Sequence, residues 1–125
     1  MTNIRIVRLS VTSSSLIEVT FTDSLSSDVG INNIELKSLS GVNEDPIILS
    51  TSVEEKKLKI YLRPLVARAY YRFILFSTDS QPVIGAKGEY FIEDGSTNVI
   101  FFVGPQEDNL IRDEILSNLP GIYDI

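Results

Sequence analysis

The chain has 125 residues, 43% of them hydrophobic, with no cysteine and no histidine. That composition describes a folded globular chain and removes imidazole bases, thiol nucleophiles, the preferred zinc ligands and any disulfide. A formal charge of −6 with a pI near 4.5 opposes nucleic-acid binding, because phosphate recognition needs clustered Lys and Arg to displace counterions.

Ile4, Ile6, Leu9 and Val11 open a first strand whose apolar residues slip phase between Ile6 and Leu9, and the slip predicts a bulge near Val7-Arg8. After a turn at Ser13-Ser14-Ser15, the apolar Ile17, Val19 and Phe21 alternate with Glu18, Thr20 and Thr22, the cleanest strand with one buried face. Residues 23–33 are polar and rich in turn formers, with Gly30 and Asn32-Asn33 suited to positive φ. Ile34 and Leu36 mark a short strand, residues 41–46 a loop, and Pro46 suits the start of a strand over 47–53. Glu54-Glu55-Lys56 is the turn into a strand with Leu58, Ile60 and Leu62 inward and Lys57, Lys59 and Tyr61 outward.

The next apolar alternation places Tyr71, Phe73 and Leu75 on one face and Tyr70, Arg72, Ile74 and Phe76 on the other, which marks a central strand. The connection through Pro64 is too long for a tight hairpin, so one sheet hands the chain to the other there. Residues 78–88 form a loop, 89–92 a strand, Asp94-Gly95 a turn, and 98–103 a very apolar strand. Seven to nine short strands at this spacing predict an all-β antiparallel sandwich over residues 1–104.

Residues 105–125 differ. Asp108 or Asn109 suits a helix cap, and Leu110, Ile111, Ile115, Leu116 and Leu119 recur at near-helical spacing before Pro120-Gly121. A short amphipathic helix is expected, either packed on an end of the sandwich or leading as a linker toward a following domain.

A chain of this length makes one domain that buries roughly two thirds of its unfolded surface. No apolar run approaches the ~18 residues that span a bilayer, so membrane insertion is not expected. Met1-Thr2-Asn3-Ile4-Arg5 starts a strand and lacks the zones of a secretion signal.

The pairs Glu44/Asp45, Glu54/Glu55, Glu93/Asp94 and Asp113/Glu114 are adjacent in sequence. Neighbouring strand residues point to opposite faces, so such pairs do not converge on one bond. No serine sits in a Gly-x-Ser-x-Gly elbow, and no glycine-rich loop cradles phosphate. No catalytic residue, cofactor or metal site is therefore assigned. Asp23, Asp28, Asp79 and Asp94 fall in loops able to gather oxygen ligands but lack the dense spacing of a calcium loop. Arg63, Arg68 and Arg72 with Tyr61 and Tyr70 are candidates for a patch toward an acidic partner or sugar; the plainer reading is rim residues that discourage edge pairing.

Residues 17–23, a loop, and then Asn33-Ile34-Glu35-Leu36 resemble the opening of bacterial immunoglobulin-like domains, which recur on cell-surface and virion proteins. Leu65 ahead of Tyr71, and residues 79–85 with Phe91, resemble later parts of that family; Gly85-Ala86 and the strand after Asp94 depart from it. The resemblance implies an immunoglobulin-like sandwich. In such a fold Tyr71 fills the corner between the sheets while its hydroxyl reaches backbone in the adjoining crossing, and Tyr70 or Tyr61 suits ligand stacking better.

The leading expectation is a non-catalytic structural or assembly module, the N-terminal immunoglobulin-like domain of a bacteriophage virion or tail protein, with copies of itself or other structural proteins as partners. Leu119-Pro120-Gly121-Ile122-Tyr123 faintly resembles a run in some phage tail proteins. The alternatives are a carbohydrate- or receptor-binding sandwich using loops 23–33 and 78–87, and a bacterial cell-surface adhesin or S-layer repeat.

Overall fold

The described residues form nine strands, the longer ones mostly marked by alternation of apolar and polar side chains: β1 (Asn3–Ile4), β2 (Ile6–Ser13), β3 (Leu16–Phe21), β4 (Ile34–Ser38), β5 (Ile48–Glu54), β6 (Lys57–Leu62), β7 (Tyr70–Leu75), β8 (Tyr90–Phe91) and β9 (Val99–Val103). One 3-10 turn covers Ile31–Asn33. This computed structural model describes residues 3–39, 41 and 44–105. The helix expected near residues 108–119 lies outside the described residues.

The strands form a four-stranded sheet in the order β2-β3-β6-β5 and a three-stranded sheet in the order β4-β7-β9, with β1 and β8 as a small separate pair. If β2 to β7 and then β9 are lettered A to G, the order is A-B-E-D against C-F-G. That is the arrangement of an immunoglobulin constant-type sandwich. Every pairing in the two larger sheets is antiparallel. β1 and β8 depart from the antiparallel expectation by pairing in parallel, Asn3 with Tyr90 and Ile4 with Phe91. The chain leaves β8 at Arg5 and joins β3 as β2, so one stretch of sequence serves two sheets.

The inner faces supply the core. Ile17, Val19 and Phe21 from β3 and Leu58, Ile60 and Leu62 from β6 meet Leu36 from β4 and Tyr71, Phe73 and Leu75 from β7, all buried. Each such aliphatic side chain is worth about 1.5–3 kcal/mol of transfer free energy. Phe21 and Phe91 meet edge to face with centroids 6.2 Å apart, which ties the small pair to the main core. The expected bulge is present: Ile6 pairs with Phe21 and Arg8 with Thr20, leaving Val7 without an opposite residue.

The chain does leave one sheet for the other after β6, and residues 63–69 carry it across with Leu65 and Ala69 buried. β7 is the central strand of its sheet, as its two-sided apolar pattern predicts. Positive φ is found elsewhere than expected. Gly30 is extended at φ −164°, and Asn32 and Asn33 lie in the 3-10 turn, whereas Glu55 and Arg68 adopt φ of 54° and 64°. Glu55 holds the tight turn between Glu54 and Lys57, where Leu25 N–H donates to its carbonyl at 2.9 Å and Phe21 N–H to that of Lys56 at 2.8 Å. Those two bonds fix the turn to the rest of the sheet and hold the left-handed residue in place.

Candidate interaction surface

β7 and β9 are positioned by a corner built around Tyr71. Its hydroxyl accepts a hydrogen bond from Val66 N–H at 2.9 Å, and its ring stacks on Phe102 with centroids 5.5 Å apart. Gly104 closes the corner: its N–H donates to the Ala69 carbonyl at 2.8 Å, and its own carbonyl accepts from Arg68 N–H at 3.2 Å. A methyl group at Gly104 would collide with the Val66 carbonyl oxygen, so glycine is required there by close approach.

With Tyr71 and Phe102 turned inward, the alternation of β7 and β9 turns Tyr70, Phe101 and Val103 outward. Tyr70 is 62% exposed, Phe101 66%, Val103 46%, and Leu39 beside them 47%. Tyr70 lies opposite Val103, and Arg72 opposite Phe101. Together with the edges of Tyr71 and Phe102, these residues line a shallow concavity of about 430 Å³. The outward face of the other sheet is laced with ion pairs. There Lys57 pairs with Glu18 at 3.2 Å and Lys59 with Glu54 at 3.1 Å. The three-stranded sheet carries ion pairs of its own on its outward face, Arg72 with Glu35 at 3.8 Å and Lys37 with Asp45 at 3.5 Å, but beside them Tyr70, Phe101 and Val103 form contiguous apolar surface of the sort that marks an interaction site.

The same layering separates the arginine and tyrosine candidates. Tyr61 lies on the outward face of the four-stranded sheet, while Tyr70 and Arg72 lie on that of the three-stranded sheet, and Arg63 and Arg68 sit in the crossing between them. They do not form one patch. Arg72 is engaged with Glu35 at 3.8 Å.

The loops 23–33 and 78–87 do come together, but their polar groups bond to one another. Asn33 is fully buried; its amide donates to the carbonyls of Phe76 at 3.0 Å and Gln81 at 2.7 Å, and its side-chain oxygen accepts from Gly30 N–H at 3.1 Å. Gln81 donates to the Asp28 carbonyl, Ser26 N–H to the Ile84 carbonyl and Ala86 N–H to that of Ser24. A shallow recess of about 230 Å³ lies between the loops, lined in part by Ser26, Asp28, Gln81 and Ile84. The hydrogen bonds knit two loops into one unit, which is structural duty.

The carboxylates are likewise engaged in place. Asp94 accepts from the N–H groups of Thr97 at 2.8 Å and Ser96 at 2.9 Å and from both hydroxyls, and these donors hold its carboxyl well below the usual carboxylate range. Asp45 is lowered chiefly by the Ser38 N–H, 2.9 Å away, with help from Lys37. Glu93 accepts from Ser77 N–H at 3.1 Å and Asp23 from Ser24 N–H at 2.8 Å. Among the described residues, Asp23, Asp28, Asp79 and Asp94 form no group able to hold a metal ion.

Three features leave little mark in the sequence. Asn33 reads as a turn residue, yet it is the polar anchor of the loop end. Glu89 is 4% exposed, its carboxylate accepting from Lys87 N–H at 2.9 Å. Phe101 stands in an unbroken apolar run, which reads as buried on both faces; among the described residues no layer covers the outward face of its sheet, which leaves Phe101 66% exposed beside Tyr70 of the central strand at 62%.

No family model matches this sequence, and no curated protein does. Solved structures do match in fold. The N-terminal part of the bacterial S-layer protein SbsC aligns with a TM-score of 0.64 at 18% identity, over 82% of this chain and 24% of that one. Surface layer protein SbsC, domains 1–6, aligns with a TM-score of 0.65 at 17% identity, over 85% of this chain and 14% of that one. A further S-layer SbsC crystal structure aligns with a TM-score of 0.65 at 17% identity, over the same 85% and 14%. None of the three is a virion or tail protein. This chain therefore has the fold of one portion of a much longer surface-layer chain, of which it spans a quarter or less.

Proposed function

We propose that this chain is a non-catalytic structural module of a bacterial cell-surface assembly of the surface-layer kind. The observation that carries the reading is the match of most of the sandwich to one portion of S-layer chains. Two further features agree with it. The polar groups of the loop end bond to one another, and the three-stranded sheet presents exposed apolar surface at Phe101 and Val103 suited to protein contact. The cell-surface alternative raised from the sequence thus has support that the virion reading lacks. On this reading residues 105–125 lead toward a neighbouring module of the same chain, and the partners are copies of the protein itself.

The test is localisation in the cells that make the protein. An antibody against the chain should label intact cells and follow the envelope fraction. Signal confined to the cytosol or to released phage particles would overturn the proposal.

A further inference from the structure

Among the described residues the sandwich has four edge strands, β2, β5, β4 and β9, and three of them are protected against pairing. β2 carries Arg8 and register breaks beside Val7 and Thr12. β5 carries Glu54 and a break at Leu49. β4 carries Glu35 and Lys37. Charges and bulges of this kind are the usual means by which proteins keep sheet edges from pairing. β9 has neither: its sequence is Val-Ile-Phe-Phe-Val, its register against β7 is unbroken, and among the described residues its other edge has no strand beside it.

The sequence of β9 is also nearly symmetric about its centre. Two copies laid antiparallel with Phe101 opposite Phe101 place Val99 opposite Val103, and Ile100 opposite Phe102. Outward groups then meet outward groups of the same chemistry on a two-fold axis, the condition for an isologous interface. No acidic side chain lies on either strand, so copies carrying a net charge of −6 meet at an uncharged line. Arg72, which lies opposite Phe101, already has Glu35 as its partner.

We infer that β9 is the self-association strand of this module: a second copy of the chain adds to its free edge antiparallel, joining the two three-stranded sheets into one of six strands and covering Phe101 and Val103. The occupant is a copy of this chain, held by main-chain hydrogen bonds along the edge and by the apolar face beside it. The inference rests on the structural-module reading and names the contact that reading needs.

The absence of cysteine permits a direct test. Opposed residues of an antiparallel pair have Cα atoms roughly 4.5–5.5 Å apart, within disulfide reach. In the full chain, Phe101→Cys should form an intermolecular disulfide under mild oxidation, while Val7→Cys, on a protected edge and 58% exposed, should not. Sedimentation velocity should show a concentration-dependent dimer that Phe101→Lys shifts to monomer by tenfold or more in dissociation constant, with an unchanged circular dichroism spectrum. A dimer that persists in Phe101→Lys, or that cross-links through Val7→Cys instead, overturns the β9 contact while leaving surface assembly standing. A chain that stays monomeric at the highest attainable concentration also overturns it, and envelope localisation then judges the broader reading separately.

Discussion

The Tyr71 hydroxyl accepts the N–H of Val66 at 2.9 Å, so a residue near the start of the central strand of one sheet fixes the connection arriving from the other. Strand, crossing and the Gly104 exit of β9 meet at that one ring. The outward display of Phe101 and Val103 depends on it, because the inward placement of Phe102 against Tyr71 sets the phase of β9.

Tyr71→Phe keeps the ring and removes the acceptor, which should cost about 0.5–1.5 kcal/mol for one net hydrogen bond. Tyr71→Ala also removes the ring and should cost about 3–5 kcal/mol through the cavity left behind. Urea denaturation should show both midpoints fall with little change in slope. Near-normal stability of the alanine variant would deny the corner its role.

Gly104→Ala sets a methyl against the Val66 carbonyl and should destabilise by about 1–3 kcal/mol, as overpacking does. Gly95→Ala meets open space but has φ of 84°, so its cost should be that of left-handed backbone alone, about 1–2 kcal/mol. A clean separation comes from asparagine, which tolerates left-handed backbone: Gly95→Asn should recover much of the loss, and Gly104→Asn none of it.

Glu55 pays the same left-handed cost in the wild-type chain, at φ 54°. Glu55→Gly should therefore raise stability by about 1 kcal/mol, less whatever entropy glycine returns to the unfolded chain. A thermal midpoint that drops in this variant would show that the side chain, and not the backbone, matters at the turn.

Much of this architecture is legible in the sequence because one-sided burial writes itself as alternation. Ile17, Val19 and Phe21, and again Leu58, Ile60 and Leu62, face the core as their spacing predicts, and the phase slip after Ile6 marks the bulge at Val7. What alternation does not encode is pairing between distant segments. The parallel contact of Ile4 with Phe91 is too short to have a period, and the burial of Asn33 follows from the Phe76 and Gln81 carbonyls, more than forty positions away. Phe101 was hidden for a different reason: a fully apolar run carries no phase, so the sequence does not say which face solvent sees.

Asn33→Leu should be among the most damaging polar substitutions. It removes the partner of two carbonyls and one N–H, and each buried group left unsatisfied costs about 1–3 kcal/mol. The loss should appear as lowered stability together with faster hydrogen exchange across residues 76–82. Unchanged exchange there would mean that the loops are held by other contacts.

Acid should act through Asp94. Its carboxyl is depressed in the folded state, so the stabilisation it brings is fully present above the ordinary value of 3.8 and is lost as pH falls through the lower folded value. Asp94→Ala should therefore lower the thermal midpoint at pH 7, and the gap to wild type should narrow only below about pH 4. A gap that stays constant down to pH 2 would contradict the assignment.

The claim that the three-stranded sheet works as an assembly surface through its free edge is tested most directly by hydrogen exchange of the intact chain as its concentration is raised. The account predicts that protection appears in the segment Val99–Val103, and that β2 and β5, the edges of the other sheet, exchange as before. Protection that arises in β2 or β5 while β9 remains unchanged would contradict it.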